Sequence, residues 1–140
     1  MAPENLDWLE ACERPAEPSL AAFYADSLCG QVRVAEDPAN PDGRQISLAV
    51  MVRPALSAES RPDPVVFLAG GPGQAAREVG PIVFERFDEL RVDHDLVLVD
   101  QRGTGDSNGL DCGITSAFLD ELGSAPVAIA EAQEAMMRAC

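Results

Sequence analysis

Lysine is absent from this 140-residue chain, and histidine and tryptophan occur once each. All ten basic residues are therefore arginines, and 24 acidic residues bring the formal net charge to −14. Proteins that bind nucleic acids need clustered basic side chains to contact phosphates. This charge balance argues against a nucleic-acid partner. It is typical of a solvated acidic surface, with attraction of cationic substrates as the alternative.

Long apolar runs are also missing. No stretch approaches the roughly 18–20 apolar residues that a membrane-spanning helix needs. The first residues contain no basic segment followed by an apolar one, so we expect no signal peptide in this chain. We also expect no membrane span. The absence of a signal peptide is equally compatible with a mature secreted chain.

The four cysteines are Cys12, Cys29, Cys112 and Cys140. Their spacing contains no Cys-x-x-Cys and only one histidine is present, so the sequence supports neither a zinc site nor another metal or cofactor. Pairing 12 with 29 and 112 with 140 would fasten two peripheral segments to the central strands. Two other connectivities and buried free thiols remain open at this point.

Two apolar runs of strand length each end in a glycine-rich turn. The first covers 65–69 and precedes Gly-Gly-Pro-Gly at 70–73; the second covers 95–100 and precedes the loop at 101–107. Such β-branched runs predict buried parallel strands with functional loops at their carboxyl ends. Ligands of open α/β sheets bind at those ends. The two loops therefore mark the expected working edge.

Upstream of these runs, a hairpin is predicted. Strands are expected at 30–36 and 45–53, joined by a turn at 37–43 that is rich in Pro, Asp, Asn and Gly. Ile46, Leu48, Val50 and Val52 recur with a period of two, which places them on one face. An antiparallel hairpin leading into a parallel sheet with flanking helices defines an α/β fold.

The remaining segments are assigned more coarsely. Residues 1–27 are interpreted as an N-terminal extension with a short helical turn at Trp8 and Leu9, and 28–140 as the domain proper. A helix is predicted at 81–90 with Pro81 as its first residue, a position that proline favours. Further helices are predicted at 115–122 and 126–140.

The first glycine loop matches a loose dinucleotide-binding pattern, G-x-G-x-x-A, at 71–76. In that pattern a helix begins directly at the glycines, so that its N–H groups face the pyrophosphate. Gly80-Pro81 disfavours helical geometry at residue 80 and predicts a later start. A nucleotide-binding module is therefore only a third-ranked interpretation.

Ser107 lies in a literal match to the hydrolase pattern G-x-S-x-G, at 105–109. A nucleophile elbow places its serine on a tight turn between a strand and a helix. Ser107 instead lies seven residues beyond Asp100, in a loop, and the only histidine, His94, precedes it. We expect the Ser107 hydroxyl to bond to backbone, and His94 to lie exposed in a polar turn without a catalytic role.

The sequences of the two loops, taken together, resemble those of a known protein family. Residues 68–74 read Leu-Ala-Gly-Gly-Pro-Gly-Gln, and 100–107 read Asp-Gln-Arg-Gly-Thr-Gly-Asp-Ser. In this order, each after its own strand, they resemble the amino-terminal third of the α/β-hydrolase serine peptidases, and most of all the prolyl and tripeptidyl aminopeptidases. The resemblance covers residues 28–112, and the peripheral cysteines are similar to those of secreted or periplasmic members.

Two departures from that family stand out. Many prolyl aminopeptidases have histidine immediately before the first glycine, where this chain has Ala69, so it is nearer to the tripeptidyl type. The family's nucleophile, acid and histidine all follow these motifs, and no residue here matches them. We therefore expect an N-terminal portion, truncated before the nucleophile-bearing strand. The family's strand order would leave strand 65–69 at the edge of the sheet.

The resemblance assigns roles to the loop residues. In the family, the loop after the third strand supplies a backbone N–H to the oxyanion hole. Gly71 is the candidate donor and Gly70 and Gly73 are the alternates; Pro72 has no N–H and would only stiffen the turn. A tight strand-to-helix turn without a catalytic part is the alternative. Arg102 is expected to pair with Asp100 or Asp106. Structural roles are expected for Pro72, Asp100, Gln101, Arg102, Gly103, Gly105 and Ser107.

The function implied is therefore that of a secreted serine aminopeptidase that cleaves residues from peptide N-termini, acting on peptide, amide or small ester substrates once the rest of its chain is present. Residues 1–140 alone are expected to be inactive. A non-catalytic fragment that docks on a partner, or one half of a split hydrolase, is the alternative.

Overall fold

The structure is a computed structural model that describes residues 7–71, 73–86, 88–109 and 134. The chain divides into two compact units, Met1–Gly109 and Leu110–Cys140. Every element described below belongs to the first unit. The predicted helices at 115–122 and 126–140 (apart from residue 134) and the predicted Cys112–Cys140 disulfide lie outside the described residues.

The first unit is a small α/β domain built on one mixed sheet of five strands. The strand order is β1-β2-β3-β5-β4, and neighbouring strands are antiparallel except β4 and β5, which are parallel. The elements are β1 Glu10–Ala11, α1 Pro18–Ala25, β2 Leu28–Ala35, β3 Gln45–Arg53, β4 Val65–Phe67, α2 Ala76–Phe84, a 3-10 helix Asp88–Val92, and β5 Leu96–Val99.

All four predicted strands are present, and β3 has the predicted bounds. Alternation along β3 divides its side chains between two clusters. Met51 packs with Leu96 and Leu98 of β5 in the helix-covered cluster, which also contains Phe23 and Phe84. The opposite cluster contains Leu9, Val50 and Val52. β3 is buried on both faces because it lies at the centre of the sheet, which explains its nearly continuous apolar sequence.

The amino-terminal segment differs from its prediction. The structure has a turn at Asp7 and Trp8 but no helix follows it; β1 instead begins at Glu10 and pairs with β2, with Glu10 opposite Cys29. Helix α1 then begins at Pro18, which suits a first helical turn. Its Phe23 is 5% exposed and stacks on Phe84 of α2, with ring centroids 6.4 Å apart. Residues 7–27 therefore belong to the same compact unit as the sheet.

The predicted start of the helix at Pro81 is wrong, because α2 begins at Ala76 and Pro81 lies inside it. Proline cannot donate to the carbonyl four residues earlier, which here belongs to Arg77. The hydroxyl of Tyr24 donates to that carbonyl instead, at 3.3 Å. Burial raises the pKa of Tyr24, which keeps this donor protonated. Gly80 is also required, since a Cβ there would collide with Leu98.

The predicted pairing of Cys12 with Cys29 is present as a disulfide. Cys12 is buried and joins the helix-covered core cluster, while Cys29 is at the start of β2. The bridge therefore fixes the segment between β1 and β2, including α1, to the sheet.

Replacing both Cys12 and Cys29 with serine is expected to lower the free energy of unfolding by about 3 kcal/mol, because a loop of this size gains that much entropy in the unfolded chain. The two cysteines are 17 residues apart. Urea unfolding followed by circular dichroism measures the change. Equal stability of the two proteins would show that the bridge does not constrain the unfolded chain.

Candidate functional site

The glycine loop follows β4 at the edge where the parallel strands β4 and β5 both end. Gly71 has φ +121° and Gly73 has φ +90°, a region that glycine adopts without steric cost. A Cβ on Gly71 would lie 3.0 Å from Cγ of Gln74 and 3.2 Å from its backbone N. The N–H of Gln74 donates to the carbonyl of Gly70 at 3.3 Å and closes the turn. The conformation therefore requires glycine at 71.

The glycine N–H groups of this loop have no acceptor in the part of the chain that the structure describes. Gly70, Gly71 and Gly73 are exposed, and their N–H groups donate to no backbone or side-chain acceptor within the described residues. Pro72 lies outside the described residues and has no N–H in any conformation. An exposed turn with free N–H groups can stabilise negative charge on an oxygen atom. This is the property that an oxyanion hole needs.

The carboxylate of Asp100 caps helix α2 directly after the loop. The residue before the helix, Ala75, has no side chain that could cap it, and the N–H of Arg77 donates to Oδ1 of Asp100 at 2.9 Å. The N–H of Asp106 lies 3.4 Å from Oδ2 of the same residue. Asp100 is 1% exposed. One buried carboxylate thus joins the end of β5, the start of α2 and the second loop.

Close packing explains the glycines of the second loop. Gly105 has φ +45°, and a Cβ there would lie 2.6 Å from both the Cβ of Ala75 and Oδ2 of Asp100. Gly103 has φ +79° and donates its N–H to the carbonyl of Ser107 at 2.9 Å. The carbonyl of Gln101 accepts from the N–H and the hydroxyl of Thr104. The loop is therefore a compact series of turns held against α2.

Ser107 is fully buried, and its hydroxyl oxygen accepts the N–H of Ala49 at 2.8 Å. The carbonyl of Ala49 in turn accepts the N–H of Asp100 at 3.1 Å. Ser107 thus fastens the second loop to β3, as expected of a hydroxyl bonded to backbone. A buried hydroxyl that is already engaged does not have the exposure of a nucleophile.

Ser107→Ala is expected to lower the free energy of unfolding by about 1–3 kcal/mol, because it leaves the buried N–H of Ala49 without an acceptor. Ser60→Ala is a matched control, since Ser60 is exposed. Thermal and urea unfolding of both variants measure the difference. Two equally stable variants would contradict this account of the second loop.

The predicted pairing of Arg102 with Asp100 or Asp106 is wrong. The exposed Arg102 donates from Nη1 to the carbonyl of Glu36 at 2.7 Å, next to the β2–β3 turn. Arg77 makes the expected ion pair instead, with its Nη1 2.8 Å from Oδ2 of Asp106. Arg102 lies shortly after β5, and its side chain extends to the β2–β3 hairpin. Arg77 lies beside the second loop because its own N–H is bonded to Asp100. No motif in the sequence singled out Arg77.

His94 lies at the amino-terminal end of β5, whereas the glycine loops lie at the carboxyl ends of β4 and β5. A four-residue strand such as β5 spans about 13 Å. The ring is partly buried, with Nδ1 2.7 Å from the carbonyl of Asp63, so it is less exposed than predicted. Topology therefore separates His94 from Ser107 and from the glycine loop.

The early start of α2 removes one argument against nucleotide binding, because the helix does begin soon after the glycines. One N–H of its first turn is nevertheless occupied by an anion of the protein itself, since Arg77 donates to Asp100. Glu78 adds a second carboxylate in the first turn. Two carboxylates at this helix terminus oppose binding of a phosphate.

Comparison with protein-family models and with curated proteins gives no match. Among the residues that the structure describes, no group of three or more His, Cys, Asp or Glu side chains is arranged to hold a metal ion. The site thus consists of an exposed strand-to-helix turn whose glycine N–H groups have no acceptor among the described residues.

Proposed function

We propose that these residues form the amino-terminal portion of an α/β-hydrolase domain and supply one donor of its oxyanion hole, in a serine peptidase of the prolyl or tripeptidyl aminopeptidase type. The observation that carries the proposal is the N–H of Gly71, an exposed residue at the carboxyl end of β4, which donates to no acceptor among the described residues. In acyl transfer, two such preorganised groups stabilise the tetrahedral intermediate. In this fold one comes from the loop after the third strand.

Strand order supports the proposal. The strand order of the family leaves the strand before the glycine loop outside its parallel neighbour, and β4 here pairs only with β5 among the described residues. Val66 and Leu68 at this position are 52% and 67% exposed. A further parallel strand would pair with the open backbone edge of β4, and the layer that accompanies it would cover these side chains.

The nucleophile, the acid and the histidine would come from polypeptide that pairs with the free edge of β4. The hydroxyl of Ser107 is buried and bonded, and His94 lies at the amino-terminal end of β5, away from the glycine loop. The polypeptide at the β4 edge is either further sequence of the same protein or a second chain. Residues 1–140 alone are therefore inactive.

The substrate class and the compartment rest on two other observations. The aminopeptidase assignment depends on the resemblance of the segments at 68–74 and 100–107, and the core geometry serves small esters and amides equally well. The Cys12–Cys29 disulfide favours an oxidising location, secreted or periplasmic. The described helices have eight and nine residues, too few to cross a bilayer.

Hydrolysis of aminoacyl arylamides tests the proposal. The protein purified from its natural source, with any polypeptide that associates with it, is compared with isolated residues 1–140. We expect turnover from the natural protein and none from the isolated chain. A natural preparation that hydrolyses neither amides nor esters would contradict the proposal.

Ser107→Ala in the isolated chain gives the complementary control. Turnover by residues 1–140 that disappears in this variant, while circular dichroism shows a retained fold, would overturn the assignment of Ser107. Activity that requires a separate co-purifying chain would identify the split form of the hydrolase. A dinucleotide titration without saturation would remove the nucleotide-binding alternative.

A further inference from the structure

A cavity of about 210 Å³ lies well away from the glycine loop. Arg53 at the end of β3 pairs with Leu96, the first residue of β5, which places the cavity at the amino-terminal ends of the parallel strands. The glycine loop is at their carboxyl ends. Its walls are formed by Ala22, Phe23, Arg53, Glu85 and Asp88.

The guanidinium of Arg53 is the main polar group of this cavity, and among the described residues its one ionic partner is Asp88. Its side chain is 12% exposed, and its Cζ lies 4.4 Å from the ring centroid of Phe23. The buried Nε forms no hydrogen bond with the described residues, and the ion pair with Asp88 is long, at 3.5 Å. A guanidinium offers five N–H donors, which suit a carboxylate. The Arg53 side chain can therefore donate hydrogen bonds to an anionic ligand in this cavity.

A second guanidinium strengthens this preference for an anion. Arg91 is 7% exposed, with Nε donating to the carbonyl of Pro54 and Nη1 paired with Asp26 at 3.2 Å. Burial, and then repulsion by Arg91, lower the pKa of Arg53. An anionic ligand on Arg53 would offset both effects by direct attraction to the guanidinium.

The carboxylates of Glu85 and Asp88 restrict which anion fits. Both side chains are exposed and line the same cavity, so a simple anion would be repelled by them. A ligand that carries an ammonium group beside its carboxylate satisfies both ends of the site. Ala22 and Phe23 leave an apolar wall between these charges.

We propose that this cavity binds a small zwitterion of the free amino-acid class. The carboxylate lies against Arg53, the ammonium against Glu85 and Asp88, and the aliphatic side chain against Phe23. The volume is below the roughly 300–1,000 Å³ of sites for drug-sized ligands and suits a single amino acid. The site uses no residue of the glycine loop, so it stands independently of the hydrolase proposal.

Calorimetric titration of the 140-residue chain with L-leucine tests this site. The matched probes are 4-methylpentanoate, which is leucine without the ammonium, and isoamylamine, which is leucine without the carboxylate. We expect saturable binding of L-leucine and at least about tenfold weaker binding of each probe, since each loses one ionic contact. Absence of saturation by L-leucine at about 10 mM would overturn the proposal. Binding of 4-methylpentanoate as tight as that of L-leucine would do the same.

Three variants test which residues bind L-leucine. Arg53→Gln is expected to abolish binding of L-leucine, and Glu85→Gln to weaken it about tenfold while sparing 4-methylpentanoate. Arg53→Gln also removes the contact with Phe23 and could disturb the fold. Glu85 is exposed, so Glu85→Gln keeps the fold and tests the site independently. Arg44→Gln, at an exposed arginine paired with Glu36, is the control and should bind normally. Unchanged affinity in Glu85→Gln would contradict the proposed orientation.

Discussion

Asp100→Ala is expected to lower the free energy of unfolding by about 3 kcal/mol, the largest loss of stability that we expect from a single substitution in the two loops. The carboxylate is buried and accepts the N–H of Arg77 at 2.9 Å and, more weakly, the N–H of Asp106 at 3.4 Å. Alanine leaves both donors without this acceptor and removes the cap of α2. Urea unfolding measures the loss, and hydrogen exchange at the amide of Arg77 locates it.

Asp106→Ala is the matched control for this prediction. The side chain of Asp106 is 72% exposed, and its removal breaks the ion pair with Arg77. Both hydrogen bonds to Asp100 are kept, because they come from backbone N–H groups. An exposed ion pair contributes at most about 1 kcal/mol. If Asp106→Ala destabilised the protein as much as Asp100→Ala, the Arg77–Asp106 ion pair and not the buried cap would hold the two loops together.

Gly71→Ala is expected to lower kcat for aminoacyl arylamide hydrolysis by about 100-fold to 1,000-fold in the natural protein. A side chain at φ +121° is strained, and its Cβ would press on Gln74, so the loop must rotate its N–H away from the oxyanion. The interaction exists only in the transition state, so KM should change by less than about threefold. Steady-state kinetics measures both constants.

Gly70→Ala provides the control within the same loop. A Cβ at Gly70 meets no atom within 4 Å and the residue has no positive φ, so its N–H keeps its direction. Near-normal kcat in Gly70→Ala together with the large loss in Gly71→Ala assigns the donor. Equal losses would mean that the loop only shapes the turn.

The sequence predicted the sheet well because the strands that build it are strongly apolar. The apolar runs at 65–69 and 95–100 favour strands, and alternation along 45–53 determines which side chains share a face. The bounds of β3 are as predicted, and β4 and β5 lie within the predicted ranges. Local composition is sufficient to predict a strand wherever burial of its apolar side chains determines the structure.

Prediction failed where a distant residue replaced a local signal. Pro81 normally begins a helix, but Tyr24 satisfies the carbonyl that Pro81 frees, so α2 extends through it. The N-terminal residues form β1 and α1 because the sheet edge and the disulfide hold them. Arg77 replaces Arg102 beside Asp106 because the Asp100 cap places it there. None of these partners is near in sequence.

Reaction of the natural protein with a fluorophosphonate that labels catalytic serines tests the central claim most directly. Mass spectrometry of the labelled peptides identifies the serine. The account predicts a single labelled serine outside residues 1–140, in polypeptide that associates with β4, and no label on Ser107. Label on Ser107, or hydrolysis that continues with no labelled serine, would contradict it.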